Sequence, residues 1–330
     1  MSGSPGTPRV TVIMTVLNEE SGLPAFLDSL TSQTLQPDEV VVTDGGSTDR
    51  TVELLRNWSN STGMRIRVIE APGANISEGR NLAVSEATTE WIAVTDAGTV
   101  LAHEWLESLM RKVSGDVDVV CGFFEPLEGR SFSAALGATI TPLLGEIRPS
   151  TFLPSSRSVA FRRDAAIDAG LYPEWLDYCE DLVFDLNLRA SGKRFVFAGE
   201  AIAKWDARPN MRAFFRQYYK YARGDGKADL WVRRHIVRYS AYAFGIVLVV
   251  LSFAGFATVT IPLLVIGTAM YLRTYVSRVL HRRYTLGGTT MRALLMVPAI
   301  VVTGDMAKMI GYPVGVRWRA QHERELRRSR

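Results

Sequence analysis

Apolar and polar positions change period repeatedly along the first two hundred residues, and the changes mark out strands alternating with helices. Residues 10–17 form an almost unbroken aliphatic and β-branched run that ends in Leu17-Asn18-Glu19-Glu20, the pattern of a buried strand. In residues 23–33, Leu23, Phe26, Leu27 and Leu30 fall on one face of an amphipathic helix. A second apolar run, residues 40–43, stops at Asp44-Gly45-Gly46-Ser47-Thr48-Asp49, and a helical pattern follows over residues 51–58. Gly45 and Gly46 permit positive φ and close approach of a ligand, and Ser47, Thr48 or Asp49 can cap the helix. Residues 65–70 predict a third strand, and residues 75–87 a helix capped by Asn75 or Ser77 that carries Gly79-Arg80-Asn81. Residues 91–95 predict a fourth strand, ending in Asp96-Ala97-Gly98, and residues 117–123 begin another.

Strand-helix alternation of this kind predicts an α/β fold with a mostly parallel sheet and helices on both faces. Open α/β sheets bind ligands at the carboxyl ends of their strands. Three of these ends carry Glu19, Asp44 and Asp96, and Arg80 starts a neighbouring helix. An acid there can accept from a base N–H or a ribose hydroxyl, and an arginine can hold a base or a phosphate.

From residue 122 to 158 the periodicity loosens and Pro142, Gly145, Pro149 and Pro154 recur, as in a binding wall or lid. Residues 134–144 are mildly apolar. Residues 159–163 read as a strand entering a helix, and residues 195–197 as a short strand. Between them a helix begins near Glu180-Asp181 and closes at Ser191-Gly192. Acids at a helix start complement its dipole, whatever else they do. Residues 214–226 suit an amphipathic helix on a membrane surface, with Arg216, Lys220 and Arg223 as its snorkelling cations.

The character of the chain then changes. Residues 239–272 contain no charge; about 34 residues make about 50 Å of helix, against an apolar bilayer core of about 30 Å. Two short spans broken between Gly255 and Pro262 fit better than one. Arg233, Arg234 and Arg238 precede this segment and Arg273, Arg278, Arg282 and Arg283 follow it, which places both flanks on the cytoplasmic side of a multi-pass membrane protein. A shorter apolar stretch, residues 293–304, is interrupted by Asp305 and Lys308 and suits an interfacial helix; if it crosses, Asp305 needs a buried partner. Residues 317–330 read as a basic cytoplasmic tail, and residues 1–8 as disordered with no apolar leader.

The net charge of +4 is modest and the cations gather in the C-terminal third, which favours membrane lipids as partners over nucleic acid. No interleaved aromatic and basic run offers a nucleic-acid stacking surface. Cys121 and Cys179 are too few and too far apart for a disulfide framework or a zinc site.

Val16-Leu17-Asn18-Glu19, the 44–49 motif, Gly79-Arg80-Asn81 and Asp96-Ala97-Gly98 occur in the order and spacing of the family 2 glycosyltransferases, which the chain resembles over residues 9–225. The resemblance implies an inverting enzyme of the GT-A nucleotide-sugar fold. It implies a donor half over 9–120, an acceptor-binding half over 121–235 and a membrane region over 236–316. By the same resemblance Thr15, Leu17 and Glu19 line the nucleoside pocket with Gly45 and Ser47 beside it, Asp44 bonds the base and Arg80 contacts the nucleotide. Asp96 stands where the first acid of the family's metal-binding Asp-x-Asp stands, but Gly98 replaces the second. A divalent cation, Mg²⁺ or Mn²⁺, is therefore implied on a reduced ligand set. The Glu-Asp pair of the family falls on Glu180 and Asp181, with Asp181 as catalytic base, Glu180 orienting the acceptor, and Asp185 as a lesser candidate. Gln217, Lys220 and Arg223 lie on a degenerate Gln-x-x-Arg-Trp, with Lys220 and Tyr221 in place of Arg and Trp, and are candidates for contacting diphosphate or acceptor. The expected partners are a nucleoside-diphosphate-sugar and a lipid-linked or cell-envelope glycan acceptor, served from the cytosol. Competing readings are a processive polysaccharide synthase and a non-catalytic scaffold on a degenerate fold. A dehydrogenase is disfavoured because no Gly-x-Gly-x-x-Gly follows the first strand.

Overall fold

The structure, a computed structural model, describes residues 8–129 and 131–326. Residues 1–7 of the expected disordered N-terminus and 327–330 of the expected tail lie outside them. The chain forms two compact units, 1–125 with 143–206, and 126–142 with 207–330.

The first unit is built on an eight-stranded sheet in the order β3-β2-β1-β4-β7-β6-β8-β5. Its strands are β1 (Val10–Val16), β2 (Glu39–Asp44), β3 (Ile66–Glu70), β4 (Trp91–Val94), β5 (Thr99–Leu101), β6 (Val119–Pro126), β7 (Val159–Arg162) and β8 (Phe195–Trp205). The first four are parallel, joined through α1 (Leu23–Thr31), α2 (Thr51–Thr62) and α3 (Ile76–Glu86). The remainder departs from the parallel expectation: β7 runs antiparallel to β4 and to β6, and β5 antiparallel to β8. β5 and the short α4 (Trp105–Met110) have no clear sequence pattern, and β8 extends well past the expected residues 195–197.

Both faces of the sheet are buried, as the unbroken apolar runs require. Val12, Met14, Val40 and Val42 face one cluster with Phe26 and Leu30 of α1, while Ile13 and Val41 face the other with Ala83 and Val84 of α3. Two further helices, α6 (Arg163–Asp168) and α7 (Glu180–Ala190), complete this unit; between β6 and β7 the chain also passes through the second unit, whose first helix is α5 (Phe132–Ile140).

The second unit adds α8 (Met211–Lys227), α9 (Val232–Leu251), α10 (Ala257–His281), α11 (Arg283–Leu286) and α12 (Thr290–Leu326). The chain breaks at Gly255, whose φ of 98° an L side chain rarely adopts. It then folds back. Tyr242 of α9 and Tyr271 of α10 both donate to the Asp305 carboxylate, at 3.2 and 2.5 Å, whereas a straight helix would hold them about 43 Å apart. Asp305 is also bonded by Arg238 Nε at 2.8 Å, so the acid inside α12 has its buried partner. α12 runs through Asp305 and Lys308 and, as far as Leu326, through residues expected as a tail. Lys308 lies over the Tyr218 ring, 4.7 Å from its centroid.

The cations that follow the uncharged segment 239–272 divide into two kinds. Arg282 donates to the carbonyls of Ala138, Thr141 and Pro142, and Arg278 to that of Ile140, which satisfies the C-terminal end of α5. Arg273 and Arg283 remain exposed. Two helical stretches, 232–281 and 283–322, are long and apolar enough to cross a membrane, and only 11% and 39% of their apolar windows are buried within the protein. The first is thus unlike the core helix of a soluble protein.

Candidate active site

The strand-end loops of β1 and β2 are stitched to each other. Asn18, in the left-handed region at φ 55°, accepts from Thr48 N at 2.8 Å, and its own N–H donates to Ser47 Oγ at 2.9 Å. Glu19 N donates to Thr51 Oγ1, and Glu20 N to Asp49. Asp44 is buried, and its carboxylate accepts from the N–H groups of Gly46 and Ser47 and from Ser47 Oγ at 2.5 Å. Asp44 therefore holds its own turn, whatever it offers a base. Gly46 has φ 102°, which favours glycine, and a Cβ at Gly45 would stand 3.1 Å from the Ala74 carbonyl, a tight contact, so the loop itself accounts for the glycines. Leu17 is 54% exposed at the edge of this loop pair, an apolar surface suited to packing a ring.

Next to it, α3 lies directly on β1: a Cβ at Gly79 would stand 2.8 Å from Thr15 Cγ2. The helix is fixed by a capping box at Asn75 and Glu78, and its first turns carry Arg80 into the interior. Arg80 is 2% exposed. Its Nη1 donates to Glu180 at 2.7 Å, its Nη2 to Asp96 at 3.0 Å, and its guanidinium lies over the Tyr172 ring. Burial works against its charge, but Asp96 and Glu180 more than reverse that and bind its proton tighter than usual. Residues 80, 96 and 180, from α3, the end of β4 and the start of α7, thus meet in one buried network.

At the start of α7, Cys179 adopts φ 68°, a strained conformation for a cysteine, and turns the chain into the helix. Glu180 is buried, and burial followed by the charge of Asp181 raises its carboxyl above the ordinary range, with Arg80 opposing. Asp181 is half-buried, and one oxygen accepts from Leu182 N at 2.8 Å.

Asp96 is 31% exposed at its side chain. Its Oδ1 is taken by Arg80, while Oδ2 lies 3.7 Å from Arg157 Nε, an ion pair longer than a hydrogen bond. A Cβ on Gly98 would stand 3.9 Å from Glu19 Oε2. Among the described residues no three His, Cys, Asp or Glu side chains converge. Asp96 is the one carboxylate of the expected Asp-x-Asp position, and a hard cation held there would need its other ligands from outside the protein.

Gln217, Lys220 and Arg223 all lie on α8, in the second unit. Gln217 is buried and donates to Tyr221 Oη one turn on, at 2.8 Å, a bond within its own helix; Lys220 is exposed. Sequence reasoning missed Asn18, Thr51, Tyr172, Arg157 and Trp205. Asn18 sits inside a recognised motif and Thr51 two residues past another, at the start of α2; the other three acquire meaning only through partners far along the chain.

The Glycosyl transferase family 2 model matches residues 11–155, and that of Glycosyl transferase family group 2 matches residues 91–304. Glycosyltransferase AglE of Haloferax volcanii is 27% identical over 236 residues, 68% of this chain and 75% of that protein. The O-antigen chain rhamnosyltransferase RfbN of Salmonella typhimurium is 23% identical over 224 residues, 64% of this chain and 70% of its own length. Among solved structures, the mannosyltransferase PcManGT from Pyrobaculum calidifontis, in complex with GDP-Man and Mn2+, aligns with a TM-score of 0.54 at 18% identity, over 97% of this chain and 88% of that one. That likeness is one of fold, and the fold is GT-A. The matched stretches jointly span the strand-end network and the helices that follow it, and the chain belongs to the family 2 glycosyltransferases.

Proposed function

We propose that this glycosyltransferase is a membrane-anchored, inverting enzyme that moves one sugar from a nucleoside-diphosphate-sugar to a lipid-linked or cell-envelope glycan acceptor at the cytoplasmic face of a membrane. The observation that carries the reading is the meeting of Arg80, Asp96 and Glu180 beside Asp181, from segments as much as 100 residues apart. A buried arginine tying two acids to a sheet's carboxyl end is costly to fold, and breaking such a network leaves charges uncompensated. It rigidly places the start of α7.

In this reading the donor's nucleoside lies on the β1 and β2 loops, against Thr15, Leu17, Glu19 and the turn that Asp44, Gly45 and Ser47 form. The diphosphate lies toward Asp96. Asp181 accepts the proton of the acceptor hydroxyl as its oxygen attacks the anomeric carbon, and the nucleoside diphosphate leaves from the opposite face. Glu180, held by Arg80, orients the acceptor. Asp96 would hold a divalent cation, which supplies Lewis-acid neutralisation of the diphosphate. PcManGT, whose complex contains Mn2+, gives this assignment outside support. Gln217, Lys220 and Arg223 are the candidate contacts of α8. The catalytic unit faces the cytosol, because cations flank the apolar helices on both sides.

The test is Asp181→Asn in the full-length, detergent-solubilised protein, with radiolabelled nucleotide sugars and an extracted lipid-acceptor fraction. Turnover is expected to fall about 10²- to 10⁴-fold while donor affinity stays within a factor of about two. Undiminished turnover would remove Asp181 from the chemistry.

A further inference from the structure

We infer that residues 239–272 form a re-entrant hairpin. It enters the bilayer from one face, ends among lipid acyl chains and returns to the same face, with α12 lying across its mouth. This rests on the membrane-anchored reading above and replaces the two crossings that the sequence suggests. Length is the first argument. From Arg238 to the break at Gly255 is about 17 residues and from Gly255 to Arg273 about 18, so each arm is about 26 Å long. The exposed Arg273 and the paired Arg238 and Asp305 belong at headgroup depth. A hydrocarbon core is about 30 Å thick, and about 40–45 Å with its headgroups, so the tip falls short of the opposite interface. Tilt shortens the reach further.

Composition agrees with length. Residues 243–270 contain no charge, no Trp and no Tyr. The aromatic residues suited to an interface, Trp231, Tyr239, Tyr242, Tyr271 and Tyr275, all lie toward the mouth. A tip that emerged on the far side would need such anchors. Instead it presents Phe253 and Phe256, 91% and 59% exposed. The hydroxyls of Ser252 and Thr260 face each other at 2.5 Å, and Thr260 is buried. The reversal itself is made at one residue, Gly255, between helical neighbours, so little irregular backbone meets lipid.

The path of α12 points the same way. Before Asp305, Ala293 and Val297 share an apolar cluster with Val276 and Val279 of α10. After it, the Met309 carbonyl accepts from Tyr239 Oη at 2.6 Å, and Tyr312 stacks on His235 with ring centroids 3.8 Å apart. All four of these hairpin residues lie farther from Gly255 than Tyr242 and Tyr271, which meet Asp305. In these contacts Asp305 is the point of α12 nearest the tip, and the helix draws away from the tip on both sides. A third span in a bundle would instead follow one arm toward the tip. Within 243–270 the buried residues are Leu248 and Thr260, so the arms beyond α12 meet each other and leave the rest of their surface for lipid.

The experiment is labelling of the full-length variants Phe253→Cys, Phe256→Cys and Tyr284→Cys with a membrane-impermeant maleimide, in right-side-out and inside-out membrane vesicles of the expressing cell. Peptide mass spectrometry reads each position, so the native Cys121 and Cys179 stay in place. Tyr284, 83% exposed in α11, reports the mouth. Tyr284→Cys is expected to label from the cytosolic face alone. The two tip variants should label from neither face, and fully once SDS dissolves the membrane. Labelling of the tip from the face opposite Tyr284→Cys overturns the hairpin in favour of two crossings. Labelling of the tip from the same face, as readily as Tyr284→Cys, overturns it in favour of a hairpin outside the hydrocarbon. If Tyr284→Cys labels only from the outer face and the tip from neither, the hairpin stands and the cytosolic orientation proposed above falls. If the folded variants are recovered in the soluble fraction, the anchored reading fails and takes the hairpin with it.

Discussion

Two carboxylates one turn apart on α7 live in different surroundings, and the difference is measurable. Asp181 is half-buried at the helix start; Asp185 is 3% exposed, and its Oδ2 has no hydrogen-bond partner among the described residues. Burial first, and then the charge of Asp181, push the Asp185 carboxyl well above the usual range, with Arg189 and Arg80 opposing. The folded protein therefore keeps this proton at pH values where the unfolded chain has released it. The group's contribution to stability is fullest below about pH 4 and is lost as pH rises through the raised folded value. Asp185→Asn should accordingly raise stability at neutral pH by about 1–3 kcal/mol and flatten its pH slope, without the loss of turnover expected of Asp181→Asn. Denaturation of the two proteins in detergent across pH 4–8 checks this; an unchanged slope contradicts it. At this scale the sequence is a good guide to which residues matter and a poorer one to what they do. Asp44 is conspicuous at its strand end, yet its oxygens are occupied by two N–H groups and the Ser47 hydroxyl of its own turn. Arg157 sits among serines and prolines with no periodic signal, and its aromatic partner lies 48 positions on, at Trp205.

Among the elements, α8 and α12 approach until backbone meets backbone. A Cβ at Gly315 would stand 2.1 Å from the Arg223 carbonyl, one at Gly311 2.3 Å from that of Tyr219, and one at Gly226 2.3 Å from that of Tyr312. Backbone meets backbone, so even a methyl group forces the helices apart. Gly315→Ala should lower the stability of the helical unit by about 1–3 kcal/mol, whereas Gly267→Ala, which meets nothing within 4 Å, should be neutral or stabilising. Thermal unfolding of the two variants separates these outcomes, and equal behaviour contradicts the packing account. The parallel half of the sheet is legible because its strands are short β-branched runs bounded by turn residues. β8 is not, since Gly199 and Glu200 interrupt its apolar pattern and its β5 partner lies about a hundred residues earlier. α12 is under-read for a related reason. Asp305 and Lys308 look like interruptions until Arg238, two tyrosines and the Tyr218 ring receive them.

For the whole molecule, a GT-A unit and a helical unit with lightly buried apolar surface predict an enzyme that works at a membrane. On α9 to α10 the apolar side chains point outward: Phe253 is 91% and Met270 72% exposed. The full-length chain should stay in the membrane pellet after alkaline carbonate extraction, and its release into the supernatant would contradict the anchor. The arrangement of Asp181 beside the Arg80 network predicts a single displacement, whose stereochemical consequence is unambiguous. The anomeric configuration of the first-formed product, read by NMR during transfer from a nucleoside-diphosphate-sugar of known configuration, tests the account most directly. Inversion relative to the donor, lost together with turnover in Asp181→Asn, is the predicted result. Retention of the donor's configuration would contradict it.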